Sequence, residues 1–251
     1  MLELGAGAGR NTPRYGGFNQ IVLVDYSLTQ LQQAMERLGG NRRYIYVAAD
    51  IYQLPFVEGL FDAATMIRTL HHMAEPLAAL KQVRSTLQAG AIFILEYANK
   101  RNLKAILRYA FRRQTWSPFS IDSVEFEKLN YDFHPEMVRS WLKEAGFAVQ
   151  QQLAVSYLRL GLFKRFIPLK YLSRIEDWLQ PSGKWLQLSP SVFTRNIAMG
   201  NAVTPQPGTF FKCPACGSAE LGPHGPRVIC QACGHEWPIR EGIFDFRLQV
   251  D

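Results

Sequence analysis

Leu2-Glu3-Leu4-Gly5-Ala6-Gly7-Ala8-Gly9-Arg10 opens the chain, an apolar run holding one carboxylate that passes straight into a turn with glycine at alternate positions. The run reads as a buried strand. Glycines at 5, 7 and 9 reach backbone angles that a Cβ forbids and let main-chain N–H groups come close to a ligand. A second apolar run, Ile21-Val22-Leu23-Val24-Asp25, ends in a carboxylate. In a βαβ unit an acid at that place sits beside a ribose and accepts its hydroxyls. Together the two runs predict a site for a nucleotide-like cofactor.

Glycine spacing narrows the choice. A dinucleotide-binding turn, G-x-G-x-x-G, would place its third glycine at position 10, which is Arg10. Further along, Tyr44 to Ile51 is a third strand-like run with Asp50 near its end, followed by Leu54-Pro55-Phe56. Leu60 to Met73 predicts a fourth strand entering a turn at Leu70-His71-His72. From Glu75 to Gly90, proline near the start and glycine just past the end mark a helix. Leu77, Leu80, Val83, Arg84 and Leu87 recur there with a period near 3.6. Ala91 to Tyr97 is a fifth, nearly continuous apolar strand, as a parallel sheet buried on both faces requires. Pro135 to Ala145 reads as a helix capped at Gly146, Phe147 to Tyr157 as a sixth strand and Asn196 to Val203 as a seventh. Strands alternating with helices define an α/β fold.

The pattern E-x-G-x-G-x-G over Glu3–Gly9, the acids Asp25 and Asp50, and the phrase Phe61-Asp62 leading to Leu70-His71-His72 resemble the class I S-adenosylmethionine (SAM) methyltransferases of the type 11 group. The resemblance implies a Rossmann-like, seven-stranded, mostly parallel sheet with the last strand antiparallel, and SAM as cofactor. It implies that Gly5, Ala6 and Gly7, with Gly9 in the same loop, line the methionine and ribose portion. Glu3 would face the cofactor's ammonium through water, and Asp25, with Tyr26 beside it, would hold the ribose diol. Asp50 and the Ile51 amide would read adenine, and the backbone at Met66 would meet the methionine amino group. A cationic sulfonium and ammonium favour nearby acids and carbonyls, and a vicinal diol suits a bidentate carboxylate. Asp50 has a second reading as a helix N-cap. Members of the family usually carry a helical segment before the first strand, so the resemblance implies an N-terminal helix missing from this sequence, through a start further upstream or a truncated copy.

Methyl transfer is an in-line displacement at an already activated sulfonium, so the protein chiefly positions the acceptor and excludes water. A base helps only where the acceptor atom still carries a proton. His71, His72 and Tyr97, with Tyr131 and His134, are the candidates. The histidine pair has an alternative reading as a helix cap or as packing below the cofactor.

All four cysteines fall in two C-x-x-C-G knuckles, Cys213-Pro214-Ala215-Cys216-Gly217 and Cys230-Gln231-Ala232-Cys233-Gly234, with 13 residues between them. Each knuckle places two thiolates on one tetrahedral ion, and the glycine permits the turn that aims backbone N–H groups at sulfur. Residues 210–247 are therefore expected to form a zinc ribbon with a structural Zn2+ on Cys213, Cys216, Cys230 and Cys233. Such a small unit relies on its metal for folding. His224 and His235 are spare, since four cysteines suffice. The stretch Trp237-Pro238-Ile239-Arg240-Glu241-Gly242-Ile243 resembles the ending of small zinc ribbons associated with methyltransferases. Thr204 to Thr209 reads as a linker, leaving residues 1–203 for the SAM-binding domain.

The chain has 251 residues, 47% hydrophobic, and a net charge of +7, enough for one medium domain and a small appendage. It contains no apolar run of membrane-spanning length and no signal-peptide pattern at its start, so a cytoplasmic location is expected. Two lid or insertion segments, about 100–134 and 158–195, are basic and amphipathic. The first places Leu103, Ile106, Leu107, Ala110 and Phe111 on one helical stripe among Lys100, Arg101, Lys104, Arg108, Arg112 and Arg113. The second sets Arg159, Lys164, Arg165, Lys170 and Arg174 among Leu160, Leu162, Phe163, Phe166, Ile167 and Leu169. These segments fit a pocket lid with solvated cations, contact with an anionic membrane, or an RNA track. The expected function is SAM-dependent methyl transfer to a small or lipid-like acceptor, similar to the group that includes the ubiquinone/menaquinone methyltransferases. The alternatives are an RNA base methyltransferase that uses its ribbon on RNA, and a non-catalytic SAM-fold binding module.

Overall fold

A computed structural model describes residues 1–157, 168–185 and 187–248. In chain order its elements are β1 (Leu2–Leu4), β2 (Ile21–Asp25), α1 (Leu28–Leu38), β3 (Tyr44–Ala48), β4 (Phe61–Met66), α2 (Pro76–Thr86), β5 (Leu87–Ala98), α3 (Leu103–Ala110), β6 (Val124–Glu127), β7 (Asn130–Asp132), α4 (Pro135–Glu144), β8 (Phe147–Val155), α5 (Leu169–Leu179), β9 (Ser191–Ala198), β10 (Leu221–His224), β11 (Arg227–Cys230), β12 (Glu236–Arg240) and β13 (Ile243–Asp245). They divide into two compact units, one of Met1–Met66, Ala78–Phe93 and Ala198–Asp251, the other of Ile67–Leu77 and Ile94–Ile197.

In the first unit the parallel strands run β3-β2-β1-β4, with the first half of β5 beyond β4. Leu4 is level with both Val24 and Met66, and Asp25 is level with Ala48, so the C-terminal ends of these strands form one edge. Leu31 and Ala34 of α1 are fully buried against Ile21, Leu23 and Tyr46, which fixes the helix on the sheet. Ser27 caps α1, its side chain accepting from the Gln30 amide. The Rossmann-like, mostly parallel sheet is as expected, but it is wider than seven strands. The ribbon strands β10-β11-β12-β13 form an antiparallel meander, and β13 then pairs in parallel with β3.

In the second unit the latter half of β5 is followed by β9 and then β8. β6 and β7 form a separate two-stranded hairpin. The basic insertion contains α5, while its residues 158–167 and 186 lie outside the described residues.

Several boundaries differ from the sequence expectation. The helix expected to reach Gly90 ends at Thr86, and Leu87 belongs to β5. Ser85 and Thr86 explain the stop: their hydroxyls donate to the carbonyls of Gln82 and Val83 at 2.8 Å, competing with the helical ladder. The seventh strand is Ser191–Ala198 instead of Asn196–Val203, because alternate burial holds along Ser191–Ala198 while Met199 to Val203 are exposed. The connection before it accordingly ends at Pro190. Lys100, expected among solvated cations, is fully buried, its Nζ donating to Ser120 O, Ser120 Oγ and Asp122 O at 2.6–3.0 Å. Burial lowers its pKa.

Candidate cofactor site and metal centre

Gly5, Gly7 and Gly9 have φ of 64°, 53° and 66°, the left-handed region in which a side chain is strained. They serve different ends. A Cβ on Gly9 would stand 2.9 Å from Leu38 Cδ1 and 3.2 Å from Ala34 Cβ, so this glycine permits close approach of α1. At Gly7 the nearest atom to such a Cβ is Gln30 Oε1 at 3.5 Å.

The loop's amides are largely committed to the fold. Ala6 N donates to Val24 O at 3.0 Å, Gly9 N to Ala6 O at 3.0 Å, and Gly7 N to Asp25 Oδ2 at 2.8 Å. Asp25 Oδ1 accepts from Ser27 N at 2.9 Å, so one carboxylate ties the glycine loop to the start of α1. A turn spending its N–H groups in this way is not an open cradle for a pyrophosphate. Each oxygen of Asp25 keeps a second lone pair for a hydroxyl donor.

Glu3 is only 4% exposed on β1. Burial pushes its pKa from 4.5 up to about 7, although Thr12 Oγ1, donating to Oε2 at 2.7 Å, and Tyr15 act against the rise. Tyr15 is itself pushed up to about 12, by burial first and then by Glu3, and its hydroxyl accepts from Thr65 Oγ1 at 3.3 Å. Thr12, Tyr15 and Thr65 carry no sequence signal that separates them from ordinary core and loop residues. Neither Glu3 nor Asp25 forms an ion pair among the described residues.

Asp50 follows β3 and caps the short helical turn Ile51–Gln53, its Oδ1 accepting from Tyr52 N at 2.9 Å. The capping role is therefore present, and Oδ2 is left for another donor. Met66, at the end of β4, is fully buried. Tyr26 is 57% exposed and lies beside the Arg247 guanidinium, 5.5 Å from its ring centroid. The ten residues expected at the cofactor thus lie on the loop and strand ends of one unit.

The candidate bases belong to the other unit. His71 and His72 sit in the helical turn Leu70–His72 with ring centroids 4.1 Å apart. Burial, then the neighbouring His72 and Arg68, lowers the pKa of His71 to about 4, and its Nδ1 is buried without a hydrogen-bond partner among the described residues. His72 Nδ1 lies 3.0 Å from Leu129 O. Tyr97 is sealed inside, with its hydroxyl 3.5 Å from Gln187 Oε1, and burial raises its pKa. His134 caps α4 through Nδ1, which accepts from Glu136 N at 3.3 Å. Tyr131 stacks on Phe133.

The same unit holds a cavity of about 420 Å³ lined by Ile67, Arg68, Glu96, Val155, Leu172 and Phe193 among others. Arg68 adopts φ 58°, and its amide donates to Glu96 Oε2 at 2.8 Å, while Ser191 Oγ donates to Oε1. Glu96 is thereby a buried carboxylate held from both sides at the cavity wall.

The four cysteine sulfurs lie within 4.8 Å of one another, with Cys213–Cys233 at 3.8 Å and Cys216–Cys230 at 3.6 Å. Tetrahedral Zn–S bonds of about 2.3 Å require S–S separations of about 3.8 Å, so the donor set fits zinc. Gly217 and Gly234 adopt φ of 79° and 73°, and their amides close the knuckles onto Cys213 O and Cys230 O. At Cys230 burial opposes ionisation, while the amides of Cys233 and Ala232 and the sulfurs of Cys216 and Cys233 together bring the thiol down to about 7. His235 packs instead on Trp237, with ring centroids 4.1 Å apart.

A parallel sheet with a glycine loop after its first strand and acids after its second and third defines a Rossmann-like fold. Residues 2–95 match the family described as a methyltransferase domain. A demethylmenaquinone methyltransferase from Clavibacter sepedonicus is 28% identical over 159 residues, 59% of this chain and 65% of that protein. The ubiquinone/menaquinone biosynthesis C-methyltransferase UbiE of Pseudomonas savastanoi pv. phaseolicola is 28% identical over 167 residues, covering 59% and 64%. The chain thus spans somewhat less than two thirds of these relatives. The S-adenosylmethionine dependent methyltransferase from Mesorhizobium loti shares the fold, with a TM-score of 0.55 at 16% identity, over 78% of this chain and 89% of that one. Over residues 2–95 the chain is thus similar to methyltransferase domains, and its fold to that of SAM-dependent methyltransferases.

Proposed function

We propose that the protein transfers a methyl group from SAM to a small or lipid-like acceptor, with a structural zinc in its ribbon. The carrying observation is the set of acids around the loop, Glu3, Asp25 and Asp50, which have no cationic partner among the described residues while the loop amides are already engaged. That environment suits a cationic nucleoside and disfavours a phosphate. When bound, SAM supplies a methyl group on a positively charged sulfur. Asp25 would accept the ribose hydroxyls, Asp50 Oδ2 the adenine amino group, and Glu3 would face the ammonium end. Gly5 to Gly7 would let the backbone approach.

The second unit would take the acceptor. The cavity sets Ile67, Val155, Leu169, Leu172 and Phe193 beside Arg68, Glu96 and Glu176, a mixed lining that would suit an apolar molecule bearing polar groups. Burial keeps His71 neutral at pH 7. A lipid-like acceptor agrees with the names of the relatives. It also agrees with the exposed Leu169, Trp178 and Trp185, which stand among Lys170, Arg174 and Lys184 and would suit an anionic bilayer surface.

Calorimetric titration with SAM, followed by transfer of labelled methyl from SAM to a demethylated naphthoquinol, tests the reading. Micromolar donor affinity and labelled quinol support it. A zinc-loaded, folded protein with no affinity for SAM would overturn it. Steeply salt-dependent binding to RNA, without binding to anionic vesicles, would overturn the lipid-like acceptor.

A further inference from the structure

The ribbon's last strand reaches the edge of the cofactor site. Ile243, Phe244 and Asp245 of β13 pair in parallel with Tyr46, Val47 and Ala48 of β3, and Ala48 is in turn level with Asp25 of β2. Asp245, Ala48 and Asp25 therefore lie side by side across three strands. Phe246 N continues the pairing by donating to Ala48 O at 2.8 Å. Ile243 is fully buried in the same cluster as Leu31 and Ala34 of α1. The ribbon's start is bound as well, since Lys212 N donates to Pro55 O at 3.0 Å and Val57 N to Phe210 O at 3.2 Å.

Arg247 stands two residues past Asp245. The buried Asp245 carboxylate holds it in a two-pronged grip, Nε on Oδ1 and NH2 on Oδ2, each at 2.8 Å, and Arg240 Nε adds a bond to the same carboxylate at 3.0 Å. So fixed, the Arg247 guanidinium donates through NH1 to Tyr26 O at 3.2 Å and lies over the Tyr26 ring. Tyr26 immediately follows Asp25, whose carboxylate grips Gly7. One cation thereby restrains both the ring and the backbone of the residue beside the ribose-binding acid.

We propose that Arg247 is a positioning residue for the nucleoside wall of the donor site, which makes the ribbon a working part of donor binding. The inference rests on the SAM reading above. Arg247 acts through Tyr26: it holds the exposed phenol ring in one orientation, so that a nucleoside meets a preformed wall and does not have to order it. Asp245 transmits the ribbon's folded state, because β13 is paired to β12 and β12 to β11, the strand that carries Cys230.

The test is calorimetry with S-adenosylhomocysteine on the zinc-loaded full chain, for wild type, Arg247→Met, Arg247→Lys, Tyr26→Ala and Arg247→Met/Tyr26→Ala. Arg247→Met is expected to weaken affinity by about tenfold, and Arg247→Lys, which keeps the cation but loses the fork, by less. The double variant should bind no more weakly than Tyr26→Ala alone, a coupling that general loss of ribbon structure would not produce. Arg227→Met, which breaks the exposed Arg227–Glu236 pair within the ribbon, should leave affinity unchanged. Wild-type affinity in Arg247→Met, or strictly additive losses in the double variant, would overturn the proposal alone. No binding by wild type would overturn the SAM reading with it. Should Arg247→Met fail to fold, equal affinities of Tyr26→Ala and wild type serve as the overturning result.

Discussion

Asp25 accepts a 2.8 Å hydrogen bond from the amide of Gly7, joining a strand-end carboxylate to a loop 18 residues earlier in the chain. The bond orders the loop before any ligand arrives. It also leaves the carboxylate with lone pairs for hydroxyl donors.

Asp25→Ala removes two charge-assisted bonds, to Gly7 N and to Ser27 N. A stability loss of about 2–4 kcal/mol is expected, with SAM affinity falling by more than tenfold. Asp25→Asn, which keeps one acceptor oxygen, should recover part of the stability and less of the affinity. Chemical denaturation and calorimetry on the same samples separate the two effects.

Glu3 gives a dependence on pH. Its folded pKa of about 7 lies above the ordinary 4.5, so between those values the folded protein holds a proton that the unfolded chain has released. This contribution is complete below about 4.5 and is lost as pH rises through about 7, a change on the order of 3 kcal/mol. Donor affinity should move the other way, because a cationic ligand favours ionised Glu3. Glu3→Gln should flatten both profiles, as followed by thermal melts and titrations from pH 5 to 8.

Gly9→Ala places a Cβ 2.9 Å from Leu38 Cδ1 at a φ of 66°. A destabilisation of about 2–4 kcal/mol follows from strain plus overpacking. Leu38→Ala in the same chain should relieve the steric share and not the backbone share. A melting series of the two single variants and the double variant reads that split.

Removing zinc should unfold residues 210–247 first, since structural sites of this type contribute on the order of 10 kcal/mol of binding free energy. Trp237, 1% exposed, reports the event through its fluorescence. Chelation or Cys213→Ser should shift the emission to the red and lower the melting temperature. An unchanged spectrum after complete metal loss would show that the ribbon holds without its ion.

The elements readable along the chain were those with local causes. Gly5 to Gly9, the apolar runs of β1 to β5, Pro76 at the start of α2 and Gly146 after α4 state their roles within a few neighbours. Asp25 and Asp50 could be nominated as candidates for the same reason, since they end or follow strands. Where local signals competed, boundaries moved: Leu87 fits both a helical period and a strand, and the Ser85 and Thr86 hydroxyls tip the choice. Lys100 reads as a surface cation until Ser120 and Asp122, some 20 residues on, supply its acceptors.

From its order of residues alone the chain declares a glycine loop with acids after successive strands, and two cysteine knuckles with metal-ligating spacing. Both depend on spacing and backbone chemistry over short distances. Folding in three dimensions settled what spacing cannot encode: the burial that raises Glu3, the seating of β13 against β3, and the placing of Arg247 on Tyr26, a residue 221 positions away. Such pairings depend on which strand edge remains open and which buried carboxylate is at hand, and those are properties of the assembled sheet.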